Sequence, residues 1–233
     1  MRGKRHPGFA ALLIAGLLAF AAAGSASEIT GKVVLSGEIT ADVVLSVEGF
    51  QMESAPDATI YVVDHRDLNF TPHVLVIRAG STVRFENSDG MPCHIYSISP
   101  AGLFALRRQD GKPMAIKFDR PGTIVVRCAE HGRIYAYIII KENPYFALTD
   151  RKGRYKISKL RPGRYVMQAW YEGSVLATKT VEVGASKLTL DFKADRPEPH
   201  VEKQPADLSS IAAIADFSNS SPSEMLTSRR KEQ

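Results

Sequence analysis

Hydrophobic and polar positions alternate in short runs along most of the chain, from about residue 29 to residue 192. Runs such as STVRFENS, GTIVVRC and GRYKISKL are rich in Val, Ile, Tyr and Thr, and Gly, Pro, Asn or Asp separate them. Alternation with a period of two is typical of half-buried β-strands. No helical periodicity of useful length precedes residue 205. The pattern therefore predicts about eleven strands and an all-β fold, built as one large or two smaller sandwiches.

Breaks in this pattern indicate how the strands are grouped. Glu142-Asn143-Pro144 follows the very apolar run YAYIII, which reads as a buried central strand. Turn signals then recur at residues 150–153 and 161–163, between alternating strands. From residue 194 the chain is rich in Pro, Ser and charge, apart from the weakly apolar stretch LSSIAAIADF. We expect this tail, 194–233, to be mostly disordered.

The first 26 residues do not fit the strand pattern. A positive head is followed by an apolar run from Phe9 to Ala23 and by the small residues Gly24, Ser25 and Ala26. This order is typical of a secretory signal peptide, cleaved before Ser27, and the apolar run is short for a membrane span. We therefore expect a periplasmic or secreted protein that does not span a membrane.

Removal of that segment changes the charge balance. Three of the 30 basic residues lie in it, which leaves 27 basic against 25 acidic residues and a net charge near +2. This charge and the absence of a clustered basic stripe exclude a nucleic-acid partner. The two cysteines, Cys93 and Cys128, would experience an oxidising compartment, in which disulfides form.

The stretch RCAEHGRI, residues 127–134, holds Cys128 and, three positions later, His131. A nucleophilic thiol would need an oriented base and an oxyanion hole, and nothing nearby indicates either. Upstream, His94 stands at the start of a strand after a Gly-Met-Pro turn. Two imidazoles and one thiolate, from His94, Cys128 and His131, form the ligand set of a trigonal copper site.

At these residues the chain resembles cupredoxins, the blue-copper β-sandwiches. The resemblance rests on NFTPHVLVIRAGSTVRFENSD, HIYSIS and FDRPGTIVVRCAEHGRIYAYIII. Residues 29–192 as a whole resemble secreted methylamine-utilisation-like proteins, in which a carboxypeptidase-regulatory or transthyretin-like sandwich is interrupted by a cupredoxin. The segment YFALTDRKGRYKISKLRPGRYVMQAWYEG is similar to the closing half of that outer sandwich.

This resemblance implies a division of the chain and a function. Residues 27–62 and 143–193 would be the opening and closing strands of the transthyretin-like sandwich, and 63–142 a Greek-key cupredoxin-like sandwich. Copper at His94, Cys128 and His131 would transfer single electrons to a redox protein partner, without enzymatic activity. The alternative is a metal-free binding or structural module of the cell envelope, with a degenerate copper site.

The sequence leaves the axial ligand and the state of the Cys128 thiol undecided. The family usually places an axial Met where this chain has Ile134, and Met91 is a candidate replacement. A disulfide between Cys93 and Cys128 would close a loop of about 35 residues, stabilise the fold by roughly 3–4 kcal/mol and consume the thiolate. If His94 points towards Cys128, Cys93 should point to the opposite face of its strand.

Four other residues have simpler expected roles. We expect a solvated loop histidine at His65 and a surface strand residue at His73. We expect Asn87 to bridge the ligand loops by a hydrogen bond, and Trp170 to lie in the core of the outer sandwich.

Overall fold

The computed structural model of the chain describes residues 27–49, 52, 59–106 and 114–198. In this part the regular structure consists of eighteen β-strands without an α-helix, which confirms the all-β prediction. The signal peptide, 1–26, and the tail beyond residue 198 lie outside the described residues, so both stay predictions. Where the structure describes the chain, no helix has the length and apolar character needed to cross a membrane.

The strands follow one another with short connections. In chain order they are β1 Ser27–Leu35, β2 Glu38–Ile39, β3 Val44–Glu48, β4 Ile60–Arg66, β5 Asn69–Thr71, β6 Val74–Arg78, β7 Ser81–Asn87, β8 Ile95–Ser99, β9 Gly102–Leu106, β10 Met114–Phe118, β11 Gly122–Cys128, β12 Tyr135–Lys141, β13 Phe146–Leu148, β14 Arg154–Leu160, β15 Gly163–Tyr171, β16 Ser174–Val183, β17 Leu188–Thr189 and β18 Phe192–Ala194.

These strands form four sheets. The first has the order β14-β1-β17, with β2 and β18 also paired to β1, and the second has the order β13-β3-β15-β16. The third has the order β6-β12-β11-β8-β9, and the fourth the order β10-β7-β4-β5. The first and second sheets thus combine strands from both ends of the described chain, whereas β4 to β12 form the third and fourth.

Apolar side chains fill the space between successive sheets. One cluster between the first and second sheets includes Ile29, Leu45 and Met167, which are almost completely buried. Another between the third and fourth sheets includes Val63 and Ile138. Alternation along each strand directs one set of side chains into these clusters, so each pair of sheets is a β-sandwich.

A third cluster joins the two sandwiches. Along β12, Ile138 belongs to the core between the third and fourth sheets, while Tyr137 and Ile139 face Val44 of the second sheet. The β12 strand is therefore buried on both faces, which explains its unbroken apolar sequence. Trp170 packs edge-on against Tyr137, with ring centroids 4.9 Å apart. It lies between the sandwiches, and its expected place inside the outer core was wrong.

The structure has eighteen strands where about eleven were expected, and the additional ones are mostly short or lie at sheet edges. The longest of these, β16, pairs with β15 over almost its whole length at the edge of the second sheet. Its side chains are mostly half-buried or exposed, and Val175 is 55% exposed. The run SVLATKTVEV does contain weak alternation, but an edge strand needs few large apolar residues to hold its place.

Candidate metal centre

The β11–β12 loop brings Cys128 and His131 together. Cys128 is the last residue of β11 and is completely buried, and His131 follows in the loop before β12. The Sγ atom of Cys128 lies 3.3 Å from Nδ1 of His131. The loop is held in a tight turn because the backbone N–H of Ile134 donates to the carbonyl oxygen of His131, at 2.9 Å. The sulfur of Cys128 and the imidazole nitrogen of His131 are therefore close enough to bind the same metal ion.

Cys93 lies near Cys128 and is contributed by the loop between β7 and β8. It is 5% exposed and belongs to the core between the third and fourth sheets, as does Cys128. Ile95, two residues later, faces that core and pairs with Cys128 across the sheet. Because side chains alternate along an extended chain, Cys93 shares the inward face with Ile95, and His94 takes the other face. Cys93 was expected to point away from Cys128 only if His94 pointed towards it, and here Cys93 is the residue that faces the core with Cys128.

His65 reaches the two thiols from the opposite sheet. It lies on β4, is completely buried, and was wrongly expected in a solvated loop. His65, Cys93 and Cys128 each place a ligand atom within 4.8 Å of the other two. The sequence contained a signal for this position, since Val63 and His65 are two residues apart and a core-facing Val63 predicts a core-facing His65.

The imidazole of His65 is available to bind a metal ion. Among the described residues, neither ring nitrogen has a hydrogen-bond partner. Its Nδ1 atom lies 3.2 Å from Oδ2 of Asp89, within ion-pair distance. The ring stacks on that of His131, with centroids 5.7 Å apart and an angle of 18° between the planes. A buried and unsatisfied imidazole is costly, and a ligand for the free nitrogen would relieve this cost.

The two thiols are free and share a hydrogen bond. A hydrogen bond from the Cys93 thiol lowers the pKa of Cys128, and His131 acts in the same direction. The same interaction and burial raise the pKa of Cys93. The shared proton therefore stays on Cys93, and Cys128 is the group that becomes a thiolate. Thiolates, rather than thiols, bind metals, so Cys128 is prepared for this role.

His94 makes different contacts. Its backbone N–H donates to Oε2 of Glu130 at 2.7 Å, and its Nδ1 atom contacts the other oxygen of the same carboxylate. The side chain is 44% exposed. Burial opposes ionisation of Glu130, but the contacts with His94 outweigh it and lower the pKa of the carboxyl. His94 thus ties the β7–β8 loop to the β11–β12 loop, and its role as a metal ligand stays a prediction.

The other predicted participants lie at the edge of this site. Met91 is 40% exposed, and its backbone oxygen accepts a hydrogen bond of 2.6 Å from Nδ2 of Asn87. This bond joins the end of β7 to the loop that holds Cys93. The expected hydrogen bond from Asn87 to the other ligand loop stays a prediction. Ile134 packs, partly buried, against the core between the third and fourth sheets.

The donor set fits a soft metal ion. Two sulfur atoms and two imidazole rings meet at one end of the sandwich, where Cys93, Cys128 and His65 are buried. Thiolates favour copper(I) and zinc, and imidazoles bind copper in both common oxidation states. Copper is therefore compatible with these residues, and His65 and Cys93 extend the predicted set.

Comparisons with known proteins identify partial likenesses. Residues 130–190, about a quarter of the chain, match a family model described as polysaccharide lyase family 4, domain II. The match runs from the β11–β12 loop through β17. It does not test the predicted likeness to transthyretin, which stays a prediction. No curated protein gives a significant match.

Solved structures similar to this chain include copper proteins. A purple cupredoxin from Nitrosopumilus maritimus is 21% identical, with 35% of this chain and 99% of that chain covered and a TM-score of 0.32. An amicyanin from Paracoccus versutus is 20% identical, with 38% and 86% covered and a TM-score of 0.32. A copper-containing nitrite reductase from Thermus scotoductus is 23% identical, with 41% of this chain covered and a TM-score of 0.33, and the chain spans only 26% of its length. At these identities and TM-scores the likenesses assign no ligand.

Proposed function

We propose that this chain is a secreted or periplasmic copper-binding protein that transfers single electrons and has no enzymatic activity of its own. The observation that supports this best is the 3.3 Å approach of Cys128 Sγ to His131 Nδ1 in a loop between two core strands. The localisation rests on the N-terminal sequence alone. The copper preference rests on the residue types, since one thiolate with imidazoles is a common copper donor set.

The chain's residues would have distinct tasks in this function. Bound copper would supply a centre that accepts and releases one electron. Cys128, at the end of a buried strand, would hold it from within the core. His131 is half-buried at the same loop and would form the exposed edge of the site, where a redox protein partner could dock. The two sheets behind the loop would keep these ligands in place, so that little rearrangement accompanies a change of charge.

A copper(II) titration of the reduced protein, residues 27–233, tests this function. We expect one equivalent to produce an intense thiolate-to-copper absorption band, which Cys128→Ser abolishes. Val175→Ala is the control, because Val175 is exposed on β16 in the other sandwich. A folded, reduced protein without such a band, or a band that survives in Cys128→Ser, would overturn the proposal.

A second candidate is a metal-free binding module of the cell envelope. The likeness of residues 130–190 to domain II of polysaccharide lyase family 4 favours it. Retention of the metal-free protein on immobilised polysaccharides, equal in wild type and Cys128→Ser, is the result that this candidate requires. It would be rejected if neither form were retained.

A further inference from the structure

We propose that His65 and Cys93, rather than His94, complete the metal site that begins with Cys128 and His131. The site would then hold two thiolates and two imidazoles. This inference rests on the proposed function only in assuming that a metal binds at Cys128.

The position of Cys93 follows from strand alternation. Its thiol and that of Cys128 lie in one buried cluster with a ring nitrogen of His65, all within 4.8 Å. Ile95 and Cys128 are paired residues of β8 and β11, so the inward face of one strand meets that of the other. His94 stands between two residues of this core, Cys93 and Ile95, and its own side chain is 44% exposed. Burial of the apolar Ile95 side chain, which is 6% exposed, fixes this order of inward and outward residues.

The carboxylate of Asp89 lies beside the imidazole of His65 and fixes its orientation. Asp89 accepts backbone N–H bonds from Asp67 at 2.7 Å and from Leu68 at 2.9 Å. Both of these residues have positive φ, of 52° and 54°, in the two-residue turn between β4 and β5. This turn therefore directs two N–H groups at the carboxylate and holds it beside Nδ1 of His65. A histidine ligand commonly has such a carboxylate at its other nitrogen, which leaves Nε2 to face the metal.

His94 is already engaged by Glu130, whose Oε2 atom also accepts a contact of 3.4 Å from Sγ of Cys128. The backbone N–H and the imidazole of His94 contact the two oxygens of Glu130, and its carbonyl oxygen accepts the N–H of Ala129 at 2.9 Å. These contacts connect the loops that carry Cys93 and Cys128. His94 is thus a positioning residue, which holds the two thiols close without touching the metal.

A site with two thiolates differs in its chemistry from one with a single thiolate. Soft sulfur donors favour copper(I), and a tetrahedral set of two sulfurs and two nitrogens also suits zinc. Such a site would hold the reduced form of copper more tightly than the oxidised form. It would also bind zinc as a competitor.

The number of sulfur ligands tests this inference on the unaltered protein. We would load reduced residues 27–233 with one equivalent of copper(I) under anaerobic conditions and record X-ray absorption at the copper edge. We expect two sulfur atoms bound directly to copper. A single sulfur atom would overturn the inference, and it would leave the proposed function intact if Cys128→Ser abolished copper binding.

Variants assign the sulfur and nitrogen donors. We expect Cys93→Ser and His65→Asn each to lower copper(I) affinity at least tenfold, in competition with a chromophoric chelator. His94→Asn should change it less than threefold. Circular dichroism checks that each variant is folded. If a variant does not fold, the number of sulfur ligands in the wild-type protein tests the inference alone. Unchanged affinity in Cys93→Ser and His65→Asn, together with loss of binding in His94→Asn, would overturn the inference.

Discussion

The Sγ atoms of Cys93 and Cys128 lie no more than 4.8 Å apart in one buried cluster, and both thiols are free. Cys93 lies in the β7–β8 loop and Cys128 is the last residue of β11, and the pairing of β8 with β11 brings them together. Two outcomes are open to such a pair in an oxidising compartment: joint binding of a metal or formation of a disulfide. Each consumes the thiols that the other requires.

Oxidation of the metal-free protein should therefore form a Cys93–Cys128 disulfide. Oxidised glutathione accepts the two electrons, and the two thiol protons pass to it, so that one protein disulfide and two molecules of reduced glutathione form. We expect the loss of both titratable thiols and a mass decrease of two hydrogen atoms. The copper(I)-loaded protein should retain its thiols under the same conditions, because the metal occupies the sulfur atoms.

Cys93→Ser is the control for this reaction, since it leaves one thiol and can form only a mixed disulfide with glutathione. Closing a loop of about 35 residues should also raise the free energy of unfolding by roughly 3–4 kcal/mol. Metal-free wild type that keeps both thiols after prolonged oxidation would contradict the proximity of the two sulfur atoms.

Asp89 should matter for metal affinity although its carboxylate lies behind His65. Asp89→Asn removes the charge beside His65 Nδ1 and should weaken metal binding by about 10–100-fold. Asp67→Asn is the matched control, because it changes a neighbouring acidic side chain in a turn that also suits Asn, and should leave affinity nearly unchanged. Equal affinities of Asp89→Asn and wild type, measured by the same chelator competition, would show that Asp89 does not brace a ligand.

Trp170 should be a major contributor to stability at the junction of the two sandwiches. It is 6% exposed and packs edge-on against Tyr137. Trp170→Ala should lower the free energy of unfolding by about 3–5 kcal/mol, because it leaves a cavity between the second and third sheets. Val175→Ala, at an exposed site on the adjoining strand, should change it by less than about 0.5 kcal/mol. Denaturant unfolding measures both, and a small effect of Trp170→Ala would mean that the sandwiches do not depend on this contact.

The same junction contains a pH-dependent contact. The Nε2 atom of His73, between β5 and β6, lies 2.9 Å from Oε1 of Glu172, in the turn between β15 and β16. The hydrogen bond to Glu172 raises the pKa of His73, although partial burial opposes this, and Asp42 and the backbone at Tyr135 add to the increase. The stabilisation is therefore complete below the unfolded pKa of about 6.5 and is lost as the pH rises through the higher folded value.

We expect the free energy of unfolding of wild type to fall between pH 6 and pH 8 relative to that of His73→Gln. The difference should be under about 1 kcal/mol, because the His73 side chain is 38% exposed and solvent screens the pair. Glu172→Gln should remove the same pH dependence. A pH profile shared by wild type and both variants would exclude this contact as its source.

The sequence predicts the all-β class and most long strands because alternation of side chains is a local property. The site is harder to predict, since it depends on where each strand begins and ends. A strand that ends at Asp64 leaves His65 in a loop, whereas one that continues to Arg66 buries it. A shift of one residue before Ile95 likewise decides whether Cys93 or His94 faces the core.

Tertiary contacts account for the rest. The Asp89 carboxylate reaches His65 only because the β4–β5 turn holds it with two backbone N–H groups. No local pattern at residue 89 indicates this contact. The place of Trp170 between two sandwiches depends in the same way on how the sheets stack.

Spectroelectrochemical titration of the copper-loaded protein tests the central claim most directly. The account predicts a reversible change of the copper spectrum that involves one electron, with both thiols still present after several cycles. Cys128→Ser should show no such change. An irreversible response with loss of the two thiols, or no redox response of a correctly folded and loaded protein, would contradict one-electron transfer at this site.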